Sequence, residues 1–339
     1  MSKSKKRIVW IDLAKAFGII AVVIGHALEV HGAMFHFFYW WHVPIFFVVS
    51  GFFIKPVIDN QWWPFFKKRI KPLLASYFAA GIFLVTLSHF VNHQSMEYTL
   101  KYYIKLLLGG RYLNLYLSIF WFINVLILAT IATTIVITYV KSRDAKLGIM
   151  MVSLLLGASY KKQPHIFGLK YTPWDFDVTL FAIFFMLFGY LFFPQIKEWI
   201  THTWLIIGLG AFTLFLLWEQ HLKLFNFGFF LKSHQIHAKP LSPSLYSTVI
   251  PIVVILVVFG VSRWLSFAPT WVYKPLDVLG QHTLFVMYMH KAVLDISFKM
   301  GINSLILRII IAIVVPLLIS LIYVKWIKPI WHKPVKAAS

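Results

Sequence analysis

Cysteine is absent from the 339 residues, and acidic side chains are scarce: 11 Asp and Glu stand against 32 Lys and Arg. Without thiols the chain has no disulfides, no thiolate metal sites and no cysteine nucleophile. Charged residues of both signs make up 13% of the sequence, about half the share of an ordinary soluble domain. With 60% hydrophobic residues and a mean hydropathy of +0.78, a soluble globule could not cover its apolar surface. A disordered chain would not be this apolar. Cytosolic enzymes and disordered proteins are therefore excluded. In a soluble protein the formal charge of +21 would suggest nucleic acid. Here its meaning depends on where the cations lie relative to the apolar runs.

Those runs recur along the whole chain, at 9–28, 37–54, 73–91, 117–140, 147–160, 175–193, 203–218, 244–262, 279–298 and 303–325. Crossing a bilayer as a helix takes about 20 apolar residues, so the expected fold class is all-α, a polytopic transmembrane bundle of about ten helices. Lys3, Lys5, Lys6 and Arg7 precede the first run as they would in a secretion signal. That run is too long for one and carries Asp12 and Lys15, so it reads as a retained helix. Lys and Arg crowd the loops that share a side with the N-terminus, which predicts an N-in, C-in topology. Residues 1–339 are expected to form a single membrane domain without an appended soluble domain. Most of the positive excess then marks cytoplasmic helix ends facing anionic lipid, and no nucleic acid partner is expected.

The first run is unusual in what it contains. Asp12, Lys15, His26 and Glu29 fall on one stripe about 100° wide when wound as a helix. Ionisable groups inside a spanning helix are costly and mark function by default, and lipid cannot solvate them. Lys15 and His26 are eleven residues apart, about 16 Å along the axis. A cation deep on the cytoplasmic side below an imidazole suits an extended anionic ligand entering from the cytoplasm. Alternatively, Asp12 and Lys15 simply neutralise each other at i,i+3. His31, His36, His89 and His93 do not form a convincing ligand set, and no metal is expected.

The second run reads Phe38-Tyr39-Trp40-Trp41-His42-Val43-Pro44-Ile45-Phe46-Phe47-Val48-Val49-Ser50-Gly51-Phe52. It is expected to start with an aromatic belt at the outer interface, to carry Pro44 near its start, and to use Ser50-Gly51 for close helix approach or a local break. The spacing Asp12-x-x-Lys15-x10-His26, followed by His42-x-Pro44-x-Phe46-Phe47-x-x-Ser50-Gly51, resembles the acyltransferase-3 family of integral membrane acyltransferases. It looks closest to the branch similar to fucose 4-O-acetylases. Lys67-Lys68-Arg69-Ile70-Lys71-Pro72, Trp121-Phe122 and the stretch from Leu279-Gly280 through Tyr288 to His290 resemble later motifs of the family. Lys15 stands where many members have arginine, which keeps the charge but loses the bidentate fork. Thr283 replaces the usual serine, and Ser76-Tyr77 stands where Pro-Tyr is common.

The resemblance implies acyl transfer from a cytoplasmic acyl-CoA, acetyl-CoA above all, to a hydroxyl of a cell-surface or lipid-linked glycan. It also implies a multi-pass protein of the plasma membrane whose partners are the lipid bilayer, acyl-CoA and the glycan acceptor. Acyl transfer to an alcohol needs a base and a stabilised oxyanion. His26 is the candidate base, with Glu29 as the carboxylate that orients it or as a solvated loop residue. Lys15, Arg69 and Lys71 are candidates for the anionic part of coenzyme A, the last two being equally well read as topology determinants. Asp12, His42, Ser50, Tyr288 and His290 are candidates for lining the substrate path. Asp175 and Asp177 begin a helix, where acids are favoured, and acceptor binding is a second role for them. The competing function is a transporter or flippase for a glycan or lipid-linked sugar, but paired broken helices at mid-membrane are not found.

Overall fold

The computed structural model describes residues 7–28, 32–159, 171–233, 235–240 and 242–327. In chain order these form α1 (Val9–Ala27), α2 (Ala33–Trp41), α3 (Pro44–Phe52) and a short α4 (Trp62–Phe65), which runs through a π-helical turn into α5 (Lys71–Val91). There follow α6 (Met96–Leu108), α7 (Trp121–Tyr139), α8 (Arg143–Ser159), α9 (Thr179–Trp199) and α10 (Thr203–His221). A two-stranded antiparallel hairpin, β1 (Asn226–Phe230) and β2 (Gln235–Lys239), leads to α11 (Pro243–Leu265), α12 (Thr270–Gln281), α13 (Thr283–Lys299) and α14 (Leu305–Ile322). Helix accounts for 79% of the structure, and the protein is an all-α polytopic bundle.

All ten apolar runs are mainly helical, and among the described residues eight helical segments are long and apolar enough to cross a membrane. The remaining two, α8 and α13, have 17 residues each. Two runs differ in detail from the expectation. The second begins earlier, at Ala33, so Pro44 does not open it but interrupts it. With no N–H to give, Pro44 starts a new helix at its first turn, and the helical hydrogen bonding is interrupted at His42-Val43. The ninth is split at His282 into α12 and α13. The faces of α10 and α14 turn large apolar side chains such as Phe215, Trp218, Ile306 and Leu318 outward, a surface suited to lipid and not to water.

α1 sits at the centre, in contact with α2, α3, α11, α12, α13 and α14. Two close approaches set the packing around it. A methyl added to Gly280 of α12 would stand 1.8 Å from the Asp12 carbonyl oxygen of α1. α3 and α9 interlock reciprocally: a Cβ on Gly51 would lie 2.1 Å from Met186 O, and one on Gly189 would lie 2.1 Å from Val48 O. The close approach expected of Ser50-Gly51 is thus made through the glycine, while Ser50 turns back to donate to Phe46 O at 2.7 Å.

The bundle has two ends. The N face gathers the start of α1, the α3–α5 connection and the end of α7, tied by Val57 N donating to Thr138 Oγ1 at 2.9 Å. The far face gathers the end of α1, the hairpin and the end of α13. There Trp40 Nε1 donates to Phe227 O at 2.7 Å, and Gln220 Oε1 accepts from Phe227 N at 2.9 Å. Phe227 and Phe229 of the hairpin are fully buried, so its strands are packed into protein, which satisfies the rule that non-helical backbone at depth must be covered.

Candidate active site

His26 lies on the last turn of α1, toward the far face. It is half-buried and makes no hydrogen bond to another described residue. Two further imidazoles converge on it. His290 of α13 stacks against the His26 ring, with centroids 5.3 Å apart and planes inclined at 28°. His42, between α2 and α3, meets the ring of Tyr39 edge-on at 4.7 Å, and Tyr39 meets His26 at 6.3 Å. The order of the chain does not suggest this grouping; the crossing of α1, α2 and α13 produces it.

Hydrogen bonds define two of these rings. His42 Nδ1 is 2.5 Å from Phe38 O and His290 Nδ1 is 3.0 Å from Val286 O. A carbonyl only accepts, so in each neutral ring Nδ1 carries the proton and Nε2 offers its lone pair. Nε2 of His290 is buried without a partner among the described residues. These rings are preset as acceptors, and His26 is left with both nitrogens unengaged.

His26, His42 and Tyr39 open on a cavity of about 460 Å³, within the range of small-molecule sites. Its wall is mainly apolar, with Val22 and Phe122 among its residues, and the hairpin forms its far-face side. Two cationic side chains reach it, Lys232 from the hairpin turn and Lys291, which follows His290 on α13. Burial, together with the like charge of Lys291, brings the Lys232 ammonium down from 10.5 to about 8, against the opposing pull of Asp175. Neither lysine is among the candidate residues that the sequence singles out. The usable signal was Lys291 itself, an ionisable group inside a run long enough to span.

The residues expected to meet coenzyme A lie at the N face. Lys15 Nζ is 2.7 Å from Asp12 and Arg7 is 2.9 Å from the same carboxylate. Asp12 is buried between two cations, and the cluster keeps one net positive charge. Arg69 is exposed and donates to Phe53 O at 2.9 Å, and Lys71 is exposed at the start of α5. Lys15 does not line the cavity, whose lining on α1 starts at Val22. Between the two, Ile45 and Phe46 press on Gly18, where an added Cβ would meet their side chains at 3.0 to 3.2 Å. That contact is a seam separating the N-face cluster from the cavity.

Tyr288 is buried and bonded to Ser76 at 3.1 Å, so it ties α13 to α5 and does not line the cavity. Ser50 is likewise spent on its own helix. Glu29 lies outside the described residues. Asp175 and Asp177 bind Arg111: Arg111 Nε donates to Asp175 Oδ1 at 2.8 Å, and Nη2 donates to Asp177 and, at 3.1 Å, to Thr172 Oγ1. Burial opposes the charge of Arg111, but the two carboxylates outweigh it and hold the guanidinium above its ordinary range. This cluster clamps the far-face loop before α9. Among the described residues no three His, Asp or Glu side chains are grouped as metal ligands.

A family model described as an acyltransferase domain matches residues 8–325. No curated protein and no solved structure matches the chain.

Proposed function

Because the chain belongs to the acyltransferase-3 family of membrane acyltransferases, we propose that it transfers an acyl group, acetyl in the simplest case, from acyl-CoA to a hydroxyl of a glycan. The observation that carries this reading is His26, which lines the cavity at the end of the central helix with no hydrogen bond to its ring nitrogens among the described residues. In the reaction His26 takes the proton of the acceptor hydroxyl while its oxygen attacks the thioester carbonyl. The tetrahedral adduct collapses with loss of the coenzyme A thiolate, which takes the proton back from the imidazolium. An ester and free coenzyme A result.

Positive charge on the loops of the N face makes that face cytoplasmic. Coenzyme A then arrives where Lys15, Arg69 and Lys71 lie, and the net charge of the Arg7–Asp12–Lys15 cluster attracts its phosphates. The thioester reaches His26 by extending the pantetheine arm along α1, about 16 Å from Lys15, which requires Phe46 to swing off Gly18. The acceptor approaches from the far face, beneath the hairpin, as fits a surface or lipid-linked glycan at the plasma membrane.

The test is purified protein in vesicles with radiolabelled acetyl-CoA and a mixture of glycan acceptors. Acceptor-dependent release of coenzyme A is expected, falling about a hundredfold or more in His26→Ala. Wild-type transfer by His26→Ala would remove the histidine from its role. Movement of glycan across the bilayer without thioester cleavage would replace the enzyme reading with a transporter.

A further inference from the structure

Lys232 and Lys291 are the residues of the cavity that the reaction above leaves unused. Both are half-buried and both line it. Among the described residues neither has a carboxylate partner. The nearby acids are already engaged: Asp175 and Asp177 by Arg111, and Asp295 by Lys299 at 2.8 Å and Tyr116 at 2.6 Å. Lys232 Nζ makes one long contact, 3.4 Å to Leu113 O.

Buried charges in proteins are paired as a rule. Two ammonium groups at one apolar cavity repel each other and lose hydration together. Elsewhere at the same end of the bundle the chain neutralises its cations carefully, with two carboxylates for Arg111 alone. A pair left open where a ligand enters is explained by a counter-charge that arrives with the ligand. In walls of low polarity that attraction is strong, and a carboxylate or phosphate oxygen pair can accept from two ammonium groups at once.

We propose that Lys232 and Lys291 form an anion-binding subsite of the cavity, which takes a carboxylate or phosphate group carried by one of the two substrates and thereby sets the reacting group against His26. The assignment of that anion to a substrate rests on the acyltransferase reading; the anion site itself does not. The anion has two sources of the same chemistry. It is either the distal carboxylate of a dicarboxylic acyl thioester or an acidic or phosphorylated sugar of the acceptor.

Two measurements on the full-length protein in lipid nanodiscs test this. In the first, amine labelling of Lys232 and Lys291 is read by peptide mass spectrometry with and without inorganic phosphate. Phosphate is expected to protect both lysines saturably while leaving the exposed Lys223 unprotected, and Lys291→Met is expected to abolish protection of Lys232. Lys291→Arg, which keeps the charge, is expected to retain it. Absence of saturable protection overturns the site, whether or not acyl transfer is ever detected.

In the second, KM is compared for acetyl-CoA against succinyl-CoA with a neutral sugar, and for neutral against acidic or phosphorylated sugars with acetyl-CoA. A KM advantage for the anionic partner in one of these pairs is expected, shrinking tenfold or more in Lys232→Met and Lys291→Met. The pair that responds identifies the source. A fall in kcat of equal size for every pair, with KM ratios unchanged, would make the lysines stabilisers of the reaction oxyanion and overturn the subsite.

Discussion

The imidazole of His290 lies against that of His26, centroids 5.3 Å apart, while its own Nδ1 is tied to Val286 O at 3.0 Å. The bond fixes the His290 ring, and the fixed ring limits how His26 can turn. With His26 as the proposed base, His290 has the place of a positioning residue. His290→Ala is expected to lower kcat about tenfold to a hundredfold, the loss that follows from slack in a catalytic group, with KM for acyl-CoA little changed. His290→Phe, which restores a flat ring, is expected to recover part of kcat. Equal kcat in His290→Ala and wild type would show that the stack has no bearing on catalysis.

Phe46 covers Gly18 between the Lys15 cluster and the cavity. If the thioester passes this seam, Phe46→Ala should let it pass without the acceptor in place. The expected result is a severalfold rise in acetyl-CoA hydrolysis in the absence of glycan, measured as coenzyme A release. Hydrolysis unchanged by Phe46→Ala would place the route elsewhere in the bundle.

Gly51 and Gly189 face backbone carbonyls at 2.1 Å, and backbone cannot step aside as a flexible side-chain end can. Gly51→Ala or Gly189→Ala must push α3 and α9 apart, at about 1–3 kcal/mol for overpacking. The two serve one interface, so the double variant should lose less than the sum of the singles. Gly148 of α8 has no atom within 4 Å of an added Cβ, and Gly148→Ala should hold or raise stability, since alanine is the better helix former by about 1 kcal/mol. Melting temperatures in one detergent compare all four. A Gly51→Ala protein as stable as Gly148→Ala would mean that α3 and α9 are not held as described.

Helix positions were legible because apolar runs of spanning length admit little else, and the importance of α1 because its ionisable groups stand out against them. The candidate site is legible in the sequence only as single residues, whose grouping comes from the fold. His26, His42 and His290 meet only through the packing of three helices, a long-range relationship that periodicity does not carry. Pro44 is expected near the start of the second helix but falls in its middle, because the helical run begins at Ala33 and not at Phe37. The hairpin went unseen because Phe227, Phe229 and Phe230 look like any apolar loop near a membrane. With it went the lining role of Lys232, whose charge had a sufficient explanation in topology.

Lys232 also makes the cavity visible in the pH dependence of stability. Its ammonium is brought from an ordinary 10.5 down to about 8 by burial first and by the charge of Lys291 second, with Arg111 adding and Asp175 opposing. Below pH 8 both folded and unfolded chains carry the proton, and the folded state bears the full penalty of the buried charge. Between about pH 8 and 10.5 the unfolded chain holds more proton than the folded one, so stability contributed at this residue rises with pH. Lys232→Met removes the penalty at every pH. The variant should therefore melt higher than wild type at pH 7, and the gap should narrow as pH climbs from 8 toward 10. Inorganic phosphate at pH 7 should narrow it as well, by neutralising in place the charge that alkali removes. A gap that is the same at pH 7 and pH 10 would show that the Lys232 ammonium is not under strain in the folded protein.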